Sequence, residues 1–115
     1  QRAIDERIDS VFYSDEYAAA IVRNTTGEYG SRLEVYKKDG THVLSKEFNF
    51  EYTNADLDGD LIILYNEDSC RIYNMSGTEK LDAAFDFPVS KIRKGRFPGT
   101  LVVTGPQQMR ELKLR

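Results

Sequence analysis

The chain has 115 residues, 40% of them hydrophobic and 30% charged, and carries a net charge of −3. That length suits one domain with a modest core, and so small a charge excludes a field built to hold nucleic acid or a membrane surface. No apolar run exceeds a handful of residues, so no segment of it predicts a bilayer-spanning helix.

The opening "QRAIDERI" has no initiator Met and reads as the edge of an excised piece, so any targeting segment would lie outside it. Beyond it, short stretches rich in β-branched and aromatic residues alternate with Gly, Asp, Asn, Ser and Pro, the pattern of strands and turns. The spacing predicts strands near 10–14, 17–23, 32–38 and 42–49, with the loop "TTGEYGS" between the second and third. Rigid scaffolds often place recognition on such loops, and Tyr29 is a candidate contact there; a neutral insertion fits equally. "NTT" at 24–26 matches a glycosylation acceptor, relevant only in a eukaryotic secretory setting. His42, the only histidine, starts a strand after a turn. No G-x-S-x-G elbow supplies it with a nucleophile, and no zinc-ligand spacing links it to Cys70. It reads as an exposed turn residue.

The next strands are expected near 52–57, 60–66, 69–75 and 79–86. "NADLDGD" (54–60) resembles the first half of a calcium loop, with Asn54, Asp56, Asp58 and Gly59 in place. Such a loop needs a bidentate Glu at its twelfth position, where this chain has Tyr65. The competing reading is a hairpin turn at Asp58-Gly59, with a weak cation site through Asp56, Asp58 and Asp60 left open. Cys70 cannot form an internal disulfide, being alone, and fits a small buried hydrophobe. Last come strands near 89–94, 100–105 and 107–114. "KIRKGRFPG" (91–99) gathers Lys91, Arg93, Lys94 and Arg96. Alternation puts Lys91 and Arg93 on one strand face, where they form a candidate contact for a phosphate or sugar acid; the alternative is a solvated basic turn.

An internal repeat organises these strands. "LEVYKKDGTHVLSKEFNF" (33–50) and "CRIYNMSGTEKLDAAFDF" (70–87) share six identities in eighteen residues at a constant offset of 37. Ordinary composition gives only about one chance match in fifteen to twenty. A fainter third copy sets 61–73 over the segment from Thr100 at an offset of 39, matching Arg71 to Arg110 and Cys70 to Met109. A period near 40 with four short strands is the signature of a β-propeller blade. The expected fold is therefore all-β: a partial propeller of four-stranded antiparallel blades. Blade one spans 8–50, blade two 51–87 and an incomplete blade three 88–115, all within a single fragment, 1–115. Phe48, Phe50, Phe85 and Phe87 recur because the contact between blades recurs. A small β-sandwich is the alternative, and it gives no reason for the offset.

The stretch "DGDLIILYNEDSCRIYNMSGTEKL" (58–81) resembles the WD40-like and PQQ-like propeller repeats of bacterial proteins. In particular it is similar to uncharacterised propeller domains that single-span membrane proteins of Gram-positive gut bacteria carry outside the membrane. The chain has no Trp, so the Trp-containing docking motifs of those repeats are absent and no ligand residues are carried over. The resemblance implies a propeller scaffold in an extracytoplasmic, membrane-anchored parent, with an interaction role. The chain shows no paired carboxylates in an apolar setting and no metal-ligand spacing, so the expectation is a non-enzymatic scaffold binding a protein or glycan, without cofactor, metal or catalytic residues. The alternative is a fragment of a propeller enzyme of the glycan hydrolase type, with active residues in other blades. Closed propellers need about four to eight blades. The segment is thus either part of a longer propeller or a homodimer closing a ring of six. "RAIDERI" (2–8) can be laid over "AAFDFPV" (83–89), and in the homodimer residues 1–6 would complete a partner's third blade by strand exchange.

Overall fold

The computed structural model describes residues 6–24 and 30–114. The protein is all-β, with eleven strands in three antiparallel sheets among the described residues. Sheet one contains β1 (Glu6–Tyr13), β2 (Tyr17–Asn24), β3 (Ser31–Lys37) and β4 (His42–Phe48). Sheet two contains β5 (Asn54–Asp58), β6 (Leu61–Tyr65), β7 (Ser69–Asn74) and β8 (Glu79–Ala84). Sheet three contains β9 (Lys91–Lys94), β10 (Thr100–Thr104) and β11 (Met109–Lys113). Each strand pairs with its neighbour in sequence, so every sheet is a meander. The chain divides into two compact units, Gln1–Phe50 with sheet one and Glu51–Arg115 with sheets two and three. No helix among the described residues is long and apolar enough to cross a membrane.

The sequence repeat is reproduced in the hydrogen-bond ladders. In sheet one, Glu34 pairs with Ser45, Val35 with Leu44 and Tyr36 with His42, with a bulge between Val35 and Tyr36. Adding 37 to each number gives the ladder of sheet two: Arg71 with Asp82, Ile72 with Leu81, Tyr73 with Glu79, and the same bulge. The turns match as well. Gly40 and Gly77 sit at φ of +96° and +87°, where a Cβ would be strained. The Gly40 N–H donates to Lys37 and that of Gly77 to Asn74, at 2.9 and 3.0 Å. Sheet three follows at an offset of 39: Leu64 pairs with Arg71 in sheet two, and Val103 with Arg110 in sheet three.

Strand pairing gives each sheet two faces. In sheet two, Leu61, Ile63, Tyr65, Cys70 and Ile72 lie on one face, here the cysteine face. Ile62, Leu64, Arg71 and Tyr73 lie on the other, the arginine face. The same names serve the equivalent faces of sheets one and three. All five residues of β6 are buried, which explains why "LIILY" shows no alternation: both of its faces are covered. The cysteine face of sheet two packs on the arginine face of sheet three, bringing its five residues into one core with Ile92, Leu101, Val103 and Phe87. Each such side chain contributes about 1.5–3 kcal/mol of burial.

The repeated aromatics take part in this packing. Phe85 extends the β7–β8 ladder by donating its N–H to the Asp68 carbonyl at 2.8 Å. It holds the register that Phe48 holds opposite Ser31. Its ring lies 5.6 Å from that of Phe87, which enters the core beneath Gly105. A Cβ at Gly105 would come within 2.8 Å of the Phe87 ring, so only glycine fits. The connection that follows is tied to both sheets, Val89 donating to Glu67 at 2.8 Å and Ser90 to Thr104 at 2.7 Å.

Two expectations are revised. Glu6 belongs to β1, opposite Asn24, rather than to a strand from a preceding blade; residues 1–5 lie outside the described residues. The β5–β6 turn is Gly59-Asp60, not Asp58-Gly59, because Asp58 still pairs with Leu61. Gly59 has φ +63° and Asp60 a negative φ, the pattern of a type II′ hairpin.

Truncating Leu101 to Ala should lower unfolding stability by about 2–5 kcal/mol in urea titrations. Lys113→Ala, on an exposed position of β11, should change it by no more than about 0.5 kcal/mol.

Candidate functional site

The aligned hairpins of sheets two and three differ at one place. β5 and β6 are joined by Gly59-Asp60, whereas β9 and β10 are joined by the five residues 95–99, "GRFPG". The longer turn folds back on itself. Gly95 donates to the Thr100 carbonyl at 2.8 Å, and the Thr100 hydroxyl donates to the Phe97 carbonyl at 2.5 Å. Gly95 is required by contact, since a Cβ there would collide with Thr100 Oγ1. Leu114 closes the turn against β11 by donating to Gly99 at 2.8 Å.

The extra residues build one wall of a cleft of about 330 Å³ between sheets two and three. Pro98, Gly99 and Thr100 form that wall, and Leu61 and Leu114 give it an apolar floor. Asp60, Asn74, Lys80 and Lys94 supply its polar groups. An apolar floor with a few convergent polar groups is the chemistry of a small-ligand or saccharide site. Two ammonium groups against one carboxylate favour an anion.

The acidic and basic stretches singled out in the sequence meet beside this cleft. Asp56 and Asp58 project from the cysteine face of sheet two toward β9. The Lys91 ammonium lies 3.4 Å from Asp56, and that of Lys94 lies 3.6 Å from Asp60. The Lys94 backbone N–H donates to Asp58 Oδ2 at 2.8 Å. The lysines therefore take up the carboxylates that a cation at Asp56, Asp58 and Asp60 would need. Both ion pairs are well exposed, so they fix the edge of the cleft more than they stabilise the fold. Among the described residues no group of three or more His, Cys, Asp or Glu side chains is placed to hold a metal ion. Lys91 and Arg93 do share a face of β9, flanking the buried Ile92. Arg96 and the ring of Phe97 stand exposed on the long turn. Tyr29 lies outside the described residues.

Sheet one carries a second polar constellation that sequence reasoning missed. The bulge after Val35 shifts the parity of β4, so Ser45 and His42 share a face with Glu34. The Ser45 hydroxyl donates to Glu34 Oε1 at 2.5 Å, and Arg32 Nε donates to Oε2 at 2.6 Å. His42 Nε2 lies 3.1 Å from the same Oε1 and 3.0 Å from Ser45 Oγ. Serine and carboxylate thus meet one ring nitrogen, whereas a hydrolytic relay needs them on opposite nitrogens. Burial acts to raise the Glu34 pKa, but the bonds from Ser45, His42 and Arg32 outweigh it and hold the carboxyl below the ordinary range. At the equivalent places of sheet two, Arg71 faces Glu79 at 3.7 Å and Asp82 at 3.5 Å. The repeat keeps the cross-strand triangle and reverses its charge. Lys80 and Asn74 in the cleft were also missed. Aligning 54–65 with 91–104 shows a two-residue length difference, which marks the turn that walls the cleft but not these two residues.

Cys70 is fully buried on β7, and burial pushes its thiol up to about 12. It packs as a hydrophobe.

The chain belongs to the family of unknown function DUF5711, whose family model matches residues 1–114. No curated protein matches it.

Two measurements check these environments. Glu34 has a depressed folded pKa, so its contribution is fully present above the unfolded value near 4.5 and is lost as pH falls through the folded value. Glu34→Gln should therefore destabilise the protein at pH 7, by a margin that shrinks steadily below about pH 4.5 in chemical-denaturation series. Cys70 has about a thousandfold less thiolate than an unshifted thiol, so alkylation at pH 8 should track global unfolding, with rates rising only as denaturant opens the fold.

Proposed function

We propose that this chain is a non-enzymatic β-propeller scaffold that binds a protein or glycan, within a membrane-anchored protein and outside the membrane. The observation that carries the reading is the repetition of one ladder register through consecutive meanders, with the cysteine face of one sheet packed on the arginine face of the next. Radial propellers are built by that repetition; a two-sheet sandwich has no need of it. The extracytoplasmic, anchored setting is supported by the resemblance of 58–81 to bacterial propeller repeats.

The cleft walled by the long β9–β10 turn is the binding site in this reading. Lys80 and Lys94 at its edge suit an acidic sugar or another small carboxylate, and Leu61 and Leu114 suit the apolar face of a sugar ring. Exposed Arg96 and Phe97 on the long turn beside it extend the contact to a longer saccharide or a protein loop.

The test is an NMR titration with uronic-acid oligosaccharides. Saturable shifts should centre on Asn74, Lys80, Lys94 and Thr100, and the double variant Lys80→Glu, Lys94→Glu should bind at least about tenfold more weakly, or about 1.4 kcal/mol. Lys37→Glu, in sheet one, should bind like the parent chain. Shifts confined to other regions would refute this site, and release of new reducing ends would favour the glycan hydrolase alternative.

A further inference from the structure

The repeat defines which face of a sheet meets which. In the second unit, the arginine face of sheet three, with Leu101 and Val103, is covered by the cysteine face of sheet two. The arginine face of sheet two is buried as well, with Ile62 and Leu64 fully inaccessible and Tyr73 only 2% exposed. Sheet one breaks this pattern. Its arginine face carries Ile8, Val11 and Tyr13 on β1, level with Val22, Ala20 and Ala18 on β2. Ile8 is 66% exposed, Val11 50% and Tyr13 62%. Tyr36, the repeat mate of Tyr73, is 41% exposed. Large apolar side chains gathered on one sheet face mark an interaction surface.

The counterpart of this face is present in the same chain. On sheet three the cysteine face consists of Thr100, Val102, Thr104, Met109 and Glu111, with Lys91, Arg93 and Lys113 beside them. Met109, the mate of buried Cys70, is 68% exposed. On the arginine face of sheet one, Arg32 and the Lys38 ammonium, 5.4 Å from the Tyr13 ring centroid, balance Glu34 and Glu47, so this face does not repel a basic one. On sheet three Lys91 is met by Asp56, so Arg93 and Lys113 against Glu111 leave one positive charge.

We infer that the exposed arginine face of sheet one docks the exposed cysteine face of sheet three from a second copy of this chain. The contact repeats the one between sheets two and three, with face laid on face rather than strands exchanged. It is a heterologous contact, and a two-copy ring would make it twice about a two-fold axis, covering both faces. Two copies bring six sheets, within the range of about four to eight that closed propellers use. The inference rests on the propeller reading and adds the partner and the surface.

The experiment uses the full chain. Light scattering at about 50 μM should give twice the monomer mass, at the micromolar affinities that such interfaces reach. Val11→Asp with Tyr13→Lys should yield a monomer whose far-ultraviolet circular dichroism is unchanged, since both side chains are exposed. A photo-crosslinking phenylalanine at Tyr13, in mixtures of isotopically light and heavy chains, should join light to heavy peptides containing 100–113. A monomeric parent chain, a mass that keeps growing with concentration, a dimer untouched by the double variant, or crosslinks only between two copies of sheet one would each overturn the inference. None of these outcomes bears on the acidic-saccharide titration, which tests the scaffold reading separately.

Discussion

The structure of the second unit depends on the burial of β6 on both faces. A strand half exposed to water can alternate apolar with polar residues, but Leu61–Tyr65 is enclosed at every position. Its cysteine face forms a common core with sheet three, closed at one end by Phe87. Backbone groups inside that core are satisfied by the ladders to β5 and β7, so apolar burial is not offset by stranded donors. The recurrence of Gly, bulge and aromatic at fixed spacing follows from this.

Charge is arranged around that core rather than in it. Asp56 and Asp58 reach toward β9 and meet Lys91 and the Lys94 amide, which ties the β5 edge of sheet two to the β9 edge of sheet three. The longer β9–β10 turn then walls the cleft where Asp60, Lys80 and Lys94 converge. The repeat tolerates this because a hairpin turn can lengthen without changing ladder register. The charge reversal between Glu34 with Ser45 and His42, and Arg71 with Asp82 and Glu79, obeys the same logic. A cross-strand position fixes which side chains meet and leaves their sign free.

Much of the fold was legible in the sequence because strands are local. Turn glycines at 40 and 77, the apolar run of β6 and the offset of 37 each follow from contacts between residues close in sequence. The candidate site was legible only in pieces. "KIRKGR" and "DLDGD" are both visible as charged stretches, each open to a turn or a ligand contact, but nothing in them shows that their lysines and aspartates face one another. Pairing partners 34 or 35 residues apart on different sheets leave no periodicity to read. The Glu34, His42 and Ser45 cluster escaped for another reason. A single bulge flips strand parity, and simple alternation places His42 and Ser45 on opposite faces.

The sequence alone determined the strands, the all-β class and the repeat, since strand propensity, turn chemistry and register are set by near neighbours. Only the tertiary structure decided that the cysteine face of sheet two meets sheet three, that Cys70 is sealed within that contact, and that Lys80 joins Lys94 across a cleft. Those outcomes depend on which sheet faces shed water against each other, a choice made by whole surfaces rather than by any short stretch of chain.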